Sequence, residues 1–215
     1  GTINGATWVD NIEGCMHPNA SNYNPEANIG DGSCEYETVQ IGHQVWMSEN
    51  LKATHYRNGD AIPTGLDNDT WCSTEEGAYA VYDNDPSNAD IYGNLYNGYA
   101  VDDSREICPE GYSVPSDEEF MELEIYLGMS QFNAVNEGWR GTDEGASLKS
   151  TGTVVDGDGL WDSPNIANNE SGYSAFPAGY RDKADGQYYQ KHMYGYYRTS
   201  SDYSTSSDWI RWLLH

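Results

Sequence analysis

The sequence predicts a mixed α+β fold, with two helices, short strands, a long irregular loop region and a small disulfide-held module at the N-terminus. Three observations predict it. The stretch Cys108 to Phe120, CPEGYSVPSDEEF, turns at Pro109 and Gly111 and then opens a helix through a capping box, Ser116 with Glu119 three residues on. VQIGHQVWM alternates apolar and polar residues around Gly42, which reads as a hairpin. Residues 133–172 are dominated by Gly, Asp, Asn and Ser, a long stretch without period that compact domains rarely keep unless it binds something.

In chain order, residues 1–13 read as a short polar extension whose one large anchor is Trp8, suited to docking or to a linker role. Residues 14–37 read as a loop-built module, GCMHPNASNYNPEANIGDGSCEY, too poor in apolar residues to hold together without a cross-link. Of the three pairings that four cysteines allow, sequence proximity favours Cys15 with Cys34 and Cys72 with Cys108. No CxxC spacing argues for zinc, so disulfides and an oxidising compartment are expected. Asn22, Asn24, Asn28 and Asp31 are the oxygen donors a calcium ion would use here, although Asx turns explain the same composition. The module resembles a cysteine-bracketed repeat ending in DGSC found in surface proteins of the Bacteroidetes group, from which Met16, His17 and Ser21 depart.

Residues 38–215 form the main domain. After the hairpin, the segment 89–101 places Tyr92, Leu95, Tyr96 and Tyr99 on one helical face, with Gly93 and Gly98 weakening the pattern. The second helix is the one capped by Ser116, with Phe120, Leu123 and Leu127 as its apolar face. Residues 173–215 return to short aromatic strands closing in DWIRWLLH.

Composition narrows the function. Thirty-five acidic against ten basic residues give a net charge of -25, which repels nucleic acid and keeps the surface solvated. No apolar run is long enough to enter a membrane as a spanning helix. No basic, apolar leader opens the sequence, so an exported form would have lost its signal. Tyrosine, at 18 residues, outnumbers phenylalanine, at 3, and a flat apolar face with a polar tip suits binding surfaces as well as half-buried strands.

Taken in order, IGHQVWMSENL, YGNLYNGYAV, CPEGYSVPSDEEF, GLWDSPNIANNESGYSAFPAGYRD and WIRWLL resemble the landmarks of the Fibrobacter succinogenes major paralogous domain family, from Val39 to Leu214. The resemblance implies an extracellular or cell-surface module with a C-type lectin-like fold, related to that of the formylglycine-generating enzyme, in which two helices pack on small twisted antiparallel sheets beside a long irregular loop region. It also implies that the terminal strands lie close together. Formylglycine chemistry is not expected, because no cysteine follows Cys108. The five histidines sit in no GxSxG or HExxH context, so no enzyme activity is expected.

The expected role is non-catalytic: adhesion, or recognition of a polysaccharide or cell-surface glycan. The alternative is a structural subunit of an extracellular appendage or filament that binds other copies of itself. Trp161, Tyr180, Tyr188 and Tyr189 offer rings for sugar faces, and Asn165, Asn169, Glu170 and Arg181 offer hydrogen bonds to hydroxyls. Trp139, Tyr194, Tyr196 and Tyr197 belong to the same pool of rings. Calcium has a second candidate site at Asp156 and Asp158, whose glycine neighbours permit a tight bend, although a plain acidic turn fits as well.

Overall fold

The computed structural model describes residues 2–3, 6–7, 10–18, 20–204 and 207–214; Trp8 lies outside them. The chain divides into two compact units, Gly1–Glu37 and Thr38–His215.

In the first unit β1 (Thr2–Ile3) and β2 (Ala6–Thr7) pair antiparallel, and β3 (Glu13–Gly14) pairs with β4 (Ile29–Gly30) in parallel. Such short ladders leave backbone groups over, and side-chain amides take them up. Asn28 Oδ1 accepts from the Ile12 amide at 3.0 Å while its Nδ2 donates to the Asp10 carbonyl at 2.8 Å. Asn22 ties Ser33 and Glu35 in the same manner. The Cys15–Cys34 disulfide, with its Cα atoms 4.8 Å apart, closes the unit as expected.

Burial holds the His17 imidazole neutral down to about pH 4, against an ordinary value of 6.5. An unfolded chain takes up that proton near pH 6.5, so this part of the unit's stability is complete above pH 6.5 and declines between there and pH 4. Limited proteolysis across that range is expected to show cleavage within residues 14–37 rising as the pH falls. Cleavage that does not change with pH would contradict the assignment.

The second unit is α+β, and every sheet among its described residues has two strands. The predicted hairpin forms as β5 (Thr38–Ile41) and β6 (Gln44–Met47). Gly42 sits at φ +62°, and a Cβ there would meet the Tyr126 ring at 2.9 Å, so both backbone and packing require glycine. Helix α1 (Asn68–Ser73) is capped by Asp67 and buries Trp71.

The helix expected over 89–101 is interrupted. Helix α2 (Pro86–Tyr92) stops at Gly93, whose φ of +74° and close approach to Asn50 and Leu51 leave no room for a side chain. The chain then forms β8 (Leu95–Tyr96), paired with β7 (Tyr79–Ala80), before Asn97 caps the short α3 (Gly98–Val101). A glycine in the left-handed region followed by a capping residue outweighs the helical spacing of the tyrosines.

Helix α4 (Asp117–Tyr126) carries the full capping box: the Glu119 amide donates to Ser116 Oγ at 3.1 Å, and the Ser116 amide donates to Glu119 Oε2 at 2.7 Å. Asp117, Glu118 and Glu119 in its first turn suit the positive end of the helix dipole. Phe120 and Leu123 bury against Ile41 and Trp46 of the first hairpin and against Leu148. Helices α5 (Gln131–Ala134) and α6 (Glu144–Leu148) interrupt the stretch expected to be irregular.

After the two-residue strands β9 (Tyr180–Arg181) and β10 (Tyr188–Tyr189), which pair with each other, a long hairpin of β11 (Tyr194–Ser204) and β12 (Ser207–Leu214) closes the unit. Tyr197 and Leu213 pack on the α4 core. The first and last hairpins remain separate sheets that meet across this core.

Cys72 and Cys108 are free thiols, which corrects the second expected disulfide. Sequence proximity is a weak guide here. Cys72 lies half-buried on α1, whereas Cys108 packs with Tyr56, Ile62, Ala100 and Ile107 in a separate apolar cluster. Desolvation there pushes the Cys108 thiol up to about 11, so it stays protonated.

Candidate functional site

Strand periodicity on β11 and β12 builds the site. Tyr194, Tyr196 and Arg198 stand opposite Leu214, Trp212 and Ile210, while Gly195 and Tyr197 stand opposite Leu213 and Arg211. The second set faces α4, where Arg211 ion-pairs with Glu124 at 2.9 Å and Asp117 at 2.6 Å. Alternation therefore directs Tyr194, Tyr196 and Trp212 away from that core.

These rings continue into a connected strip. Tyr194 stacks on Tyr196 with centroids 5.6 Å apart, Tyr196 meets Trp212 edge-on at 5.5 Å, and Trp212 meets Trp139 at 6.1 Å. In the other direction Tyr196 contacts Tyr180 at 4.9 Å, and Tyr180 contacts Tyr189 at 5.7 Å. Trp139 is 66% exposed and Trp212 51%, so the strip offers ring surface to solvent at one end. Burial and the neighbouring phenols push the Tyr196 hydroxyl up to about 12, so it stays neutral and donates to Gln190 Oε1.

Tyr180, Tyr196 and Trp212 also line a groove of about 1070 Å³, with Trp46 and Gln44 of the first hairpin, Tyr96 and the segment 111–115 among its other walls. That volume lies just above the usual range for small-molecule sites, roughly 300–1,000 Å³. Asn50, Asn94 and Gln44 contribute amides, Arg181 and Arg198 guanidinium groups, and Glu49 and Glu119 carboxylates. A ligand with apolar faces and many hydroxyls matches this mixture.

The predicted residues divide between this groove and the scaffold. Tyr180 and Arg181 line the groove. Tyr189 is exposed and donates to Asp185 at 2.6 Å. Tyr188 packs on Tyr82, donates to Asn84 at 2.9 Å and lies outside the groove lining. Trp161 is not a surface platform: it is fully buried, with its indole N–H directed at Ser150 Oγ and the Ala175 carbonyl.

Asn165 donates to the carbonyls of Ser150 and Gly152, and Asn169 is joined to Ser174 through both ends of its amide, so these residues fasten the loop around Trp161. Glu170 is exposed and lies outside the groove lining.

The calcium candidates are likewise occupied by the backbone and its neighbours. Asp158 Oδ1 accepts from the Thr153 amide at 2.8 Å and Asp156 Oδ2 from the Thr153 hydroxyl, which makes the acidic bend a self-bonded turn. In the first unit Asn24 accepts from the Glu26 amide and Asp31 from the Ser33 amide, each two residues on, while Asn22 and Asn28 hold the backbone groups named above. The carboxamides and carboxylates thus serve separate local turns instead of one centre. Among the described residues no group of three or more His, Cys, Asp or Glu is placed to hold a metal.

Trp212 and Arg198 were missed as site residues by sequence reasoning. The signal was the period of two in the closing strand, which sets Trp212 on the same face as Ile210 and Leu214 once Tyr196 is its partner.

Comparison with known families adds one finding: the model of the Fibrobacter succinogenes major domain matches residues 39–214. Neither the curated proteins nor the solved structures contain a match to the chain. With most of its length matched, the chain belongs to the Fibrobacter succinogenes major domain family.

Proposed function

We propose that this family member is a secreted or cell-surface, non-catalytic module of C-type lectin-like fold that recognises a polysaccharide or cell-surface glycan in adhesion. The observation that carries the reading is the connected strip of rings from Trp139 through Trp212, Tyr196 and Tyr180 to Tyr189, bordering a groove lined with amides and guanidinium groups. The axial hydrogens of sugar rings pack on aromatic faces, and amides and guanidinium groups bond the hydroxyls. A run of five successive rings favours an oligosaccharide over a single sugar. The Cys15–Cys34 disulfide supports an oxidising, extracellular setting.

A glycan array screened with the intact chain, followed by titration of the best ligand against Trp212→Ala and Tyr196→Ala, tests this. Each substitution is expected to weaken binding by about tenfold or more, as truncation of an aromatic anchor does. Binding should persist in chelator, because the carboxylates and amides considered for calcium already bond the backbone and Thr153. An array with no ligand, or variants that bind as the parent does, would overturn the reading.

A second reading, a structural subunit of an extracellular appendage, rests on the exposed apolar side chains Phe132, Val135 and Trp139; Phe132 is 76% exposed. Light scattering on the purified chain separates the two. A discrete monomer favours the glycan module, and concentration-dependent multimers favour the subunit.

A further inference from the structure

The two strands of the closing hairpin differ in how their outer edges are covered. On β11 the Tyr194 amide donates to the Gln190 carbonyl, the Tyr194 carbonyl accepts from the Gly179 amide, and the Ser200 amide donates to the Pro115 carbonyl. Tyr194 thus turns its backbone away from β12, and in an antiparallel pair the residue opposite, Leu214, turns its own away from β11. The Leu214 carbonyl, which receives the Lys149 ammonium at 2.7 Å, follows that rule. Every second residue of β12 does the same, which leaves the amide and carbonyl groups of Ile210 and Trp212 directed outward. Among the described residues nothing bonds them.

Edge strands are ordinarily blunted by proline, by exposed charge or by a covering segment. The run from Trp209 to Leu214, WIRWLL, has no proline, and its one charge, Arg211, is buried and held by Glu124 and Asp117. Ile210, Trp212 and Leu214 are exposed, so an apolar row stands beside the open backbone groups.

We propose that β12 is a docking edge for an extended, cationic segment of another protein chain, which joins the hairpin as a third, antiparallel strand. The proposal goes beyond the glycan reading and does not depend on it. Main-chain hydrogen bonds supply the affinity of such an addition, and alternate side chains supply its specificity. Residues of the incoming strand opposite Ile210 and Trp212 lie on the face of the aromatic strip, where apolar side chains fit. Those between them project to the α4 side. Helix α4 carries Asp117, Glu118, Glu119, Glu122 and Glu124 and no Lys or Arg, so Lys or Arg in the alternate positions is the matching chemistry.

Charge also argues against a second copy as the occupant. Pairing β12 with itself brings a second acidic α4 to the same joint and opposes two chains of net charge -25.

Hydrogen exchange followed by NMR on the intact chain tests the edge first. The Arg211 and Leu213 amides, which face β11, are expected to be protected, and those of Ile210 and Trp212 to exchange fast. A short synthetic peptide alternating valine and lysine is then added. It is expected to slow exchange at Ile210 and Trp212 by about tenfold or more at saturation, and to bind more weakly as salt is raised. N-methylation of its valines, which bond the edge, is expected to weaken binding by about tenfold, while N-methylation of its lysines, which face outward, leaves binding intact.

Ile210 and Trp212 amides already protected in the dilute free chain would overturn the proposal, because the edge would then be covered. Protection that rises with protein concentration alone would make a second copy the occupant and overturn the cationic partner. Absence of peptide binding, or equal binding of the two N-methylated peptides, overturns strand addition. None of these outcomes bears on the glycan array, which tests the other reading separately.

Discussion

Trp161→Ala is expected to destabilise the second unit by about 3–5 kcal/mol, the usual range for removing a large buried aromatic. Trp161 is fully buried; its indole N–H satisfies Ser150 and Ala175, and Thr153 bridges to it across the acidic bend. The Lys149 ammonium lies 5.0 Å above the ring and donates to the Leu214 carbonyl at 2.7 Å, so loss of the ring also loosens the closing strand. A domain of this size is stable by roughly 5–15 kcal/mol, so a large share of the margin is at stake. Trp212→Ala, at a half-exposed position, is expected to stay within about 1 kcal/mol of the parent. Urea unfolding of both variants checks the contrast, and a Trp161→Ala midpoint equal to the parent's would refute the scaffold role.

The second large effect is at Glu124. Its carboxylate lies between two guanidinium groups, 2.8 Å from Arg140 and 2.9 Å from Arg211, with all three side chains largely buried. Glu124→Ala leaves the largely buried Arg140 without its carboxylate and Arg211 with Asp117 alone, and removing one partner of a buried ion pair costs about 3–5 kcal/mol. Helix α4, the segment carrying Trp139 and Arg140, and strand β12 meet at this carboxylate, so its loss separates the elements that hold Trp139 beside Trp212. Thermal unfolding of Glu124→Ala and Glu124→Gln is expected to show both lowered, the alanine variant more. A Glu124→Ala protein with parental stability would show that the triad is not a structural joint.

The features legible in the sequence were those whose determinants are local. Ser116 and Glu119 specify the start of α4 because both halves of the capping box lie within one turn. Gly42 marks the turn of the first hairpin, and Cys15 and Cys34 bracket the short segment that their disulfide closes. Where determinants are distant, residue type misled. An asparagine that fastens a loop, such as Asn165 or Asn169, has the same composition signature as one that binds a sugar. Asp156 and Asp158 resemble metal ligands until Thr153 is seen to occupy both.

Trp161 and Trp212 show the same limit in opposite directions. The tryptophan in the polar loop is the buried one, because the loop wraps it, and the tryptophan in the apolar closing strand is half exposed, because the alternation of β12 turns it outward. Pairing partners, Tyr196 with Trp212 or Arg211 with Glu124, depend on register and packing that a single strand's pattern does not contain.

The most direct measurement is an NMR titration of the isotope-labelled chain with the oligosaccharide selected on the array, following the indole and tyrosine ring resonances. Saturable shifts are expected at Trp212, Tyr196 and Tyr180, with Trp161 unmoved. Shifts confined to residues 150–172, or none at the aromatic strip when ligand is in excess, would show that the groove is not where the chain meets its partner.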